Sequence, residues 1–180
     1  MKMKKQLLAL LLAAVMVLSL TGCKETLKKV AQEITGHSEE VQEEDTTRWA
    51  EATTDPMIIQ GIADASANFD TAMVDGTLYA VFNGIWSRQT NYFAAPTGTL
   101  TVMACGTAEG TQKFKVALWK KVDGGVEYVP DSTYYVKTDG TDYRCTISGL
   151  DPAAQYRVTI SYDSSRYYLY GLMKVEGIAG

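Results

Sequence analysis

The pattern of hydrophobic and polar positions divides the chain into three stretches. An apolar run occupies residues 7–18, and apolar side chains are then sparse over residues 24–55. After Pro56, short segments of alternating apolar and polar residues are separated by glycines and Asp-Gly pairs. Alternation with a period of two is typical of strands with one buried face, and no segment there keeps a helical period over three turns. The pattern therefore predicts a single all-β domain at residues 56–180.

The alternation also predicts where most of the strands lie. Asp75-Gly76 predicts a tight hairpin between strands at 68–74 and 77–83, because such a pair adopts the backbone of a two-residue turn. Asp123-Gly124-Gly125 predicts a second hairpin, between a strand that begins near Phe114 and one at 126–129. Further strands are expected at 57–62, 99–105, 143–148, 156–162 and about 167–178.

Short strands with one apolar face each, separated by frequent turn signals, favour a sandwich of two sheets over one open sheet. Residues 147–160, with Leu150, Pro152 and Tyr156, resemble the corner before the sixth strand of fibronectin type III domains. At such a corner the chain crosses between sheets, and a tyrosine hydroxyl bonds to the backbone. The resemblance covers about residues 96–178 and implies a fibronectin type III or Ig-like sandwich, whereas the additional strands at 57–83 suit a jelly roll.

The start of the chain has the composition of an export signal. Three lysines within the first five residues precede the apolar run, which is too short to span a bilayer stably. Leu20-Thr21-Gly22-Cys23 follows and resembles the lipobox of bacterial lipoproteins. The resemblance implies that residues 1–22 are removed as a signal peptide and that a diacylglycerol anchors Cys23 to a membrane of the cell envelope, outside the cytoplasm. An ordinary secretory cleavage site and an uncleaved anchor are the alternatives.

Residues 23–55 are interpreted as a tether. Residues 38–45 contain five carboxylates and a single apolar residue, Val41. A segment of this composition buries too little apolar surface to offset the entropy lost on ordering. We therefore expect a charged, flexible spacer between the lipidated Cys23 and the domain.

Net charge argues against one class of partner. The chain has 17 Lys and Arg against 21 Asp and Glu, and removal of the three N-terminal lysines takes its net charge from −4 to −7. No stripe of basic residues with interleaved aromatics is evident along the sequence, so nucleic-acid binding is not expected.

Residue types that perform catalysis are sparse. The one histidine, His37, lies in the tether, which leaves the domain without a histidine for a catalytic triad or a metal site. The acidic residues of the domain are mostly at turn positions, where turn formation accounts for them. They are Asp75, Asp123, Asp131, Asp139, Asp142, Asp151 and Asp163. We therefore expect no catalytic set, no metal site and no cofactor.

Two cysteines, Cys105 and Cys145, remain in the domain. Export to an oxidising compartment would allow them to form a disulfide. Cys145 shares its strand face with the apolar residues Tyr143 and Ile147, whereas Cys105 has the opposite parity from the apolar residues of its own strand. The sequence is therefore compatible with a disulfide between Cys105 and Cys145 and with two free thiols.

Aromatic residues are the predicted ligand-binding residues. Trp86 and Tyr92 lie in a loop, and Trp119 lies on the strand face opposite Phe114. Tyr168 and Tyr170 share the last strand with Tyr167, and three such neighbours cannot all face inward. An exposed ring stacks on a sugar or anchors a protein contact, whereas packing in the core is the commoner role of such rings.

The combination predicts a membrane-anchored, non-catalytic β-sandwich that binds an extracellular glycan or an envelope protein. Two alternatives remain. One is a glycoside hydrolase that uses a pair of carboxylates. The other is a structural accessory subunit of an envelope complex.

Overall fold

The computed structural model describes residues 48–110 and 112–179, and all of its regular secondary structure is β. Among these residues there is no helix that is long and apolar enough to cross a membrane. The predicted signal peptide, Cys23 and His37 lie outside the described residues. The strands are β1 (Glu51–Ala52), β2 (Phe69–Val74), β3 (Thr77–Ile85), β4 (Ser87–Gln89), β5 (Phe93–Ala94), β6 (Thr99–Thr107), β7 (Lys113–Val122), β8 (Gly125–Tyr128), β9 (Tyr134–Lys137), β10 (Tyr143–Ser148), β11 (Gln155–Ser161) and β12 (Leu169–Glu176).

The strands form two sheets whose strand pairs are antiparallel. The first sheet has the order β1-β10-β6-β12-β3-β2. The second has the order β4-β11-β7-β8, with β5 also beside β11 and β9 also beside β7. Buried residues of both sheets form one hydrophobic core, which confirms the predicted two-sheet sandwich. Because β12 lies between β6 and β3, the hairpin β2–β3 is an integral part of the first sheet.

Two glycines make room for a pair of aromatic rings at one end of the core. Gly106 on β6 and Gly171 on β12 are register partners. A Cβ atom on Gly171 would lie 2.7 Å from the ring of Phe82, and one on Gly106 would lie 2.7 Å from the ring of Phe114. The two rings meet edge to face, with 6.2 Å between their centroids. The absence of side chains at both glycines thus allows this end of the core to be filled by large rings.

Two turns have the predicted geometry. Asp75 and Gly76 have φ angles of 48° and 73°, as a two-residue hairpin turn with two left-handed residues requires. At the corner before β11, the hydroxyl of Tyr156 accepts a hydrogen bond from the Asp151 N–H (2.8 Å) and donates one to the Asp151 carbonyl (3.2 Å). Leu150 is buried beside it, in the core. A tyrosine hydroxyl bonded to the backbone at this corner is therefore confirmed.

The predicted strand at 57–62 is wrong. This segment instead crosses the outer face of the first sheet, the face that points away from the core. Its start is bound to the β10 side, where the Met57 N–H donates to the carboxylate of Asp142 (3.3 Å). Its end is bound to β2, where the Ala63 N–H donates to the carboxylate of Asp70 (3.1 Å).

The alternating pattern at 57–62 has a different origin from that of a strand. Met57 and Ile59 are half-buried, whereas Ile58 between them is 61% exposed. On the outer face of the first sheet, Val81 and Met103 are buried although they point away from the core. The alternation therefore arises because one side of this extended segment is buried against the sheet. It does not arise from strand pairing within the sheet.

Residues 48–55, which the sequence assigned to the tether, are part of the folded domain. Trp49 forms a parallel bridge with Tyr135 of β9, in the second sheet. Only two residues later, β1 pairs with Tyr143 and Arg144 of β10, in the first sheet. Ala50, between these contacts, is buried. Residues 48–52, called the N-terminal clasp below, therefore join the two sheets at one edge.

Candidate functional site

Three half-exposed aromatic residues lie at one end of the sandwich. Trp86 directly follows β3, Tyr168 directly precedes β12, and Tyr170 is the second residue of β12. Their exposed fractions are 47%, 45% and 48%. Because β3 and β12 are antiparallel neighbours, the end of one strand meets the start of the other and brings these residues together. Trp86, Tyr168 and Tyr170 are called the aromatic end below.

The rings of the aromatic end are held in place. Trp86 and Tyr168 are stacked, with 4.9 Å between ring centroids and an interplanar angle of 19°. The indole N–H of Trp86 donates a hydrogen bond to the Tyr167 carbonyl (3.0 Å). Tyr170 lies over Gly84, where an added Cβ atom would be 3.6 Å from the tyrosine hydroxyl oxygen. A ligand that stacks on rings fixed in this way loses little entropy in ordering them.

A groove with both polar and apolar lining adjoins the aromatic end. Its volume is about 420 Å³, and it is lined by Thr107, Ala108, Glu109, Arg166, Tyr167, Tyr168 and Tyr170. The guanidinium of Arg166 lies 5.3 Å from the centre of the Tyr167 ring. A volume of this size lies within the range of small-ligand clefts. The groove therefore presents hydroxyl, carboxylate and guanidinium groups beside flat ring surfaces.

Trp119 and Tyr92 lie elsewhere, on the outer face of the second sheet. Trp119 points away from Phe114 as predicted, but it is only 6% exposed. Its ring meets that of Tyr128 edge to face, with 5.3 Å between centroids. Tyr92 is half-buried, and Lys121 and Arg157 lie over its ring at 5.3 and 5.4 Å. The five predicted aromatic residues thus fall into two groups, and the Trp119 ring has almost no open face.

Cys105 and Cys145 are free thiols on opposite faces of the first sheet. Cys145 belongs to the hydrophobic core, whereas Cys105 points outward and donates a hydrogen bond to the Gly140 carbonyl (3.2 Å). Burial raises the pKa of Cys145 from 9.0 to about 12. Burial, with the nearby Asp142 carboxylate, raises the pKa of Cys105 from 9.0 to about 11. Both thiols therefore stay protonated at neutral pH, where a nucleophile would have to be a thiolate.

The carboxylate of Asp139 acts within its own turn, whereas that of Asp142 binds the Met57 N–H. The carboxylate of Asp139 accepts hydrogen bonds from the Thr141 N–H (3.0 Å) and the Tyr143 hydroxyl (2.8 Å). The hydrogen bond from the Thr141 N–H, followed by that from Tyr143, holds the pKa of Asp139 below its ordinary value. Within residues 48–110 and 112–179, no group of three or more His, Cys, Asp and Glu is placed to hold a metal ion.

Sequence reasoning missed two parts of these surfaces. The first is the pair Glu109 and Arg166, which are far apart in the sequence and both line the groove. The second is a cluster of Trp49, Lys113 and Tyr135, in which the Lys113 ammonium lies 4.0 Å from the centre of the Tyr135 ring. Lysines recur at alternate positions of β7, at 113, 115 and 121, and this periodicity is the signal that would have indicated a basic sheet face.

Comparison with known proteins shows little similarity. No family model matches the chain, and no curated protein matches it. A solved structure described as "CBM4 structure and function" matches with a TM-score of 0.35 and 11% sequence identity. The match covers 66% of this chain and 75% of that chain. A likeness this distant carries no conclusion about ligand or activity.

Proposed function

We propose that the protein is a lipid-anchored extracytoplasmic lipoprotein whose β-sandwich binds a glycan at the aromatic end without catalysing a reaction. The observation that carries the proposal is the set of three rings, Trp86, Tyr168 and Tyr170, each about half exposed. Large aromatic side chains are normally buried because each removes much apolar surface from water. Three that stay open together at one end of the fold therefore indicate a contact surface.

A glycan fits this surface better than an apolar partner does. The C–H faces of a sugar ring stack on the electron-rich face of an aromatic ring, and its hydroxyls need hydrogen-bonding partners nearby. The stacked pair Trp86–Tyr168 provides flat surfaces, and the adjoining groove provides Glu109 and Arg166. Aromatic rings with polar groups at their side suit a ligand that is itself part apolar and part polar.

The test is binding of the full chain, purified in mild detergent, to an array of neutral glycans, followed by titration with the best ligand. Trp86→Ala is expected to weaken binding roughly thirty-fold, which is the loss typical of a central aromatic contact. Tyr168→Ala is expected to weaken it by a similar factor, because it removes the ring on which Trp86 is stacked. Isothermal titration calorimetry on wild type and both variants measures the effect.

Ile58→Ala is the matched control, since it removes an exposed apolar side chain from the segment that covers the first sheet. Unchanged glycan binding in Trp86→Ala, or equal weakening in Ile58→Ala, would contradict the proposal. The protein could instead retain a partner protein and no glycan. If Trp86→Ala abolished that retention, the surface would be assigned to an envelope protein.

The hydrolase alternative has a separate readout. Glycoside hydrolysis generally needs two carboxyl groups across the scissile bond, and Glu109 is the one carboxylate among the residues that line the groove. Incubation of the bound glycan with the protein is expected to release no shorter product. Cleavage that is lost in Glu109→Gln would overturn the non-catalytic proposal.

The anchor is supported by the motif Leu20-Thr21-Gly22-Cys23 after a short apolar run. A diacylglycerol on Cys23 supplies two buried acyl chains, which suffice for stable attachment, whereas one chain gives marginal binding. Metabolic labelling with a radioactive fatty acid such as palmitate is expected to mark the wild type and to be lost in Cys23→Ala. Label that persists in Cys23→Ala would refute lipidation at this residue without affecting the glycan proposal.

A further inference from the structure

The outer face of the second sheet carries five positive charges and no negative one at its outward strand positions. On β7, Phe114, Val116 and Leu118 point to the core and their neighbours point outward, and the strand register extends this alternation to the adjoining strands. The cationic residues at these positions are Lys113, Lys115 and Lys121 on β7, Lys137 on β9 and Arg157 on β11. The whole chain has a net charge of −4, so this basic face is opposite in sign to the protein as a whole.

Aromatic rings lie among these cations. The Lys113 ammonium lies 4.0 Å from the centre of the Tyr135 ring and 5.5 Å from that of Trp49. Toward the other end of β7, Lys121 and Arg157 both lie over the ring of Tyr92. Contacts of this kind hold a cation near a ring without neutralising it. The basic face therefore has two clusters, each of which pairs a positive charge with a flat aromatic surface.

Two polar atoms without partners lie on the same face, one of them in the cluster around Tyr92. The Nε atom of Arg157 and the Oγ1 atom of Thr159 are shielded from solvent and have no hydrogen-bond partner among the described residues. Both residues are outward-facing positions of β11, opposite Trp119 and Ala117. Native structures leave few such atoms unpaired, and a functional role is one explanation for those that occur. This observation is independent of the charge pattern and falls on the same face.

We propose that this face is a second binding site, distinct from the aromatic end, for an acidic polysaccharide such as a chain of uronate sugars. Lys113 and Lys121 are eight residues apart on one strand, which corresponds to about 26 Å. An extended polymer chain covers such a length, whereas a single small anion does not. The cations bind the carboxylates, and the adjacent rings of Tyr92 and Tyr135 contact the sugar rings.

A lipid surface fits the basic face less well. Proteins that lie on a membrane insert exposed apolar side chains beside their basic residues. Of the large apolar residues exposed in the described part of the chain, only Trp49 and Val122 lie next to this face, and Val122 has the inward parity of β7. Tyr135 and Tyr128 are half-buried within it. The face is thus aromatic between its charges, as stacking on sugar rings requires.

The test compares an acidic polysaccharide with a neutral polysaccharide and with two polyanions of other chemical classes. The full chain in mild detergent is titrated with polygalacturonate, neutral dextran, duplex DNA and vesicles that contain phosphatidylglycerol. The chain is expected to bind polygalacturonate, with an affinity that falls as salt rises, and to bind dextran at least ten-fold more weakly. Lys113→Gln/Lys121→Gln is expected to weaken polygalacturonate binding by at least roughly ten-fold.

Lys120→Gln/Arg144→Gln is the matched control, because it also removes two positive charges. Lys120 lies on β7 but points to the opposite side from Lys121, and Arg144 lies on the first sheet. The control is expected to retain binding within about two-fold. Thermal unfolding of both double variants checks that the fold is kept. Trp86→Ala is also expected to bind polygalacturonate normally, which separates this site from the aromatic end.

Three results would overturn the inference. Equal weakening by the two double variants would reduce the effect to net charge. The face would be assigned to nucleic acid or to lipid if duplex DNA or the anionic vesicles bound as tightly as polygalacturonate and lost binding equally in Lys113→Gln/Lys121→Gln. Absence of polygalacturonate binding at low salt would exclude the site altogether.

Discussion

Gly171→Ala is expected to lower the free energy of unfolding by about 3 kcal/mol, at the upper end of the cost of overpacking a core. A Cβ atom at this position would lie 2.1 Å from the carbonyl oxygen of Cys105, which is a backbone atom of the neighbouring strand. It would also lie 2.7 Å from the ring of Phe82. Phe82 belongs to the packed core and its strand is paired with β2, so the ring has no free space to move into. The strands β6 and β12 must therefore separate to admit one methyl group. Urea unfolding followed by tryptophan fluorescence measures the change.

Gly125→Ala is the control for that substitution. Gly125 is the first residue of β8, and an added Cβ atom there has no heavy atom within 4 Å. Its expected effect is within about 0.5 kcal/mol, as for other surface substitutions. Similar stability of Gly171→Ala and wild type would mean that β6 and β12 are not packed as closely as the structure has them.

Tyr156→Ala is expected to cost about 3 to 5 kcal/mol, the range for removing a large buried aromatic side chain. Tyr156 is 2% exposed and lies in the core at the corner before β11. Its loss leaves a cavity and also leaves the Asp151 N–H without the hydroxyl that satisfies it. The expected result is a large shift of the urea midpoint with little change in the slope of the transition.

Tyr156→Phe separates the two contributions. The ring stays, so the packing is kept, while both hydrogen bonds of the hydroxyl to Asp151 are lost. These hydrogen bonds are only partly buried. A typical hydrogen bond contributes about 0.5 to 1.5 kcal/mol net, so an intermediate stability is expected. A stability equal to wild type would show that the corner does not depend on the hydroxyl, and one equal to Tyr156→Ala would show that the ring contributes little.

Elements with local signals were predictable from the sequence. The Asp75-Gly76 turn depends on two residues that adopt left-handed φ angles, and the strands of β7, β10 and β11 show their alternation directly. The short strands β4, β5 and β9 have two to four residues each and were missed, because so few positions cannot establish a period. The segment 57–62 was predicted as a strand since burial on one side produces the same alternation with or without backbone pairing.

Binding surfaces were less predictable than strands. The outward direction of Trp119 was predicted correctly. The exposure of its ring, however, depends on Tyr128 of the neighbouring strand β8, and the sequence does not reveal the register between β7 and β8. Trp86 and Tyr168 are 82 residues apart and meet because β3 and β12 are neighbours. The basic face was not predicted for a similar reason: its cations come from three strands and form no continuous basic stripe along the sequence.

The N-terminal clasp has a consequence for self-association. Strands at the edge of a sheet present unpaired N–H and C=O groups, on which a second copy of the chain can add its own strand. The clasp occupies the outer edge of β10 through Glu51–Ala52, and that of β9 through backbone hydrogen bonds of Ala50 and Arg48 with Tyr135. Two open edges, one in each sheet, are thus blocked by five consecutive residues. The segment that leads into the domain thereby protects this side of the sandwich against aggregation by edge-to-edge pairing.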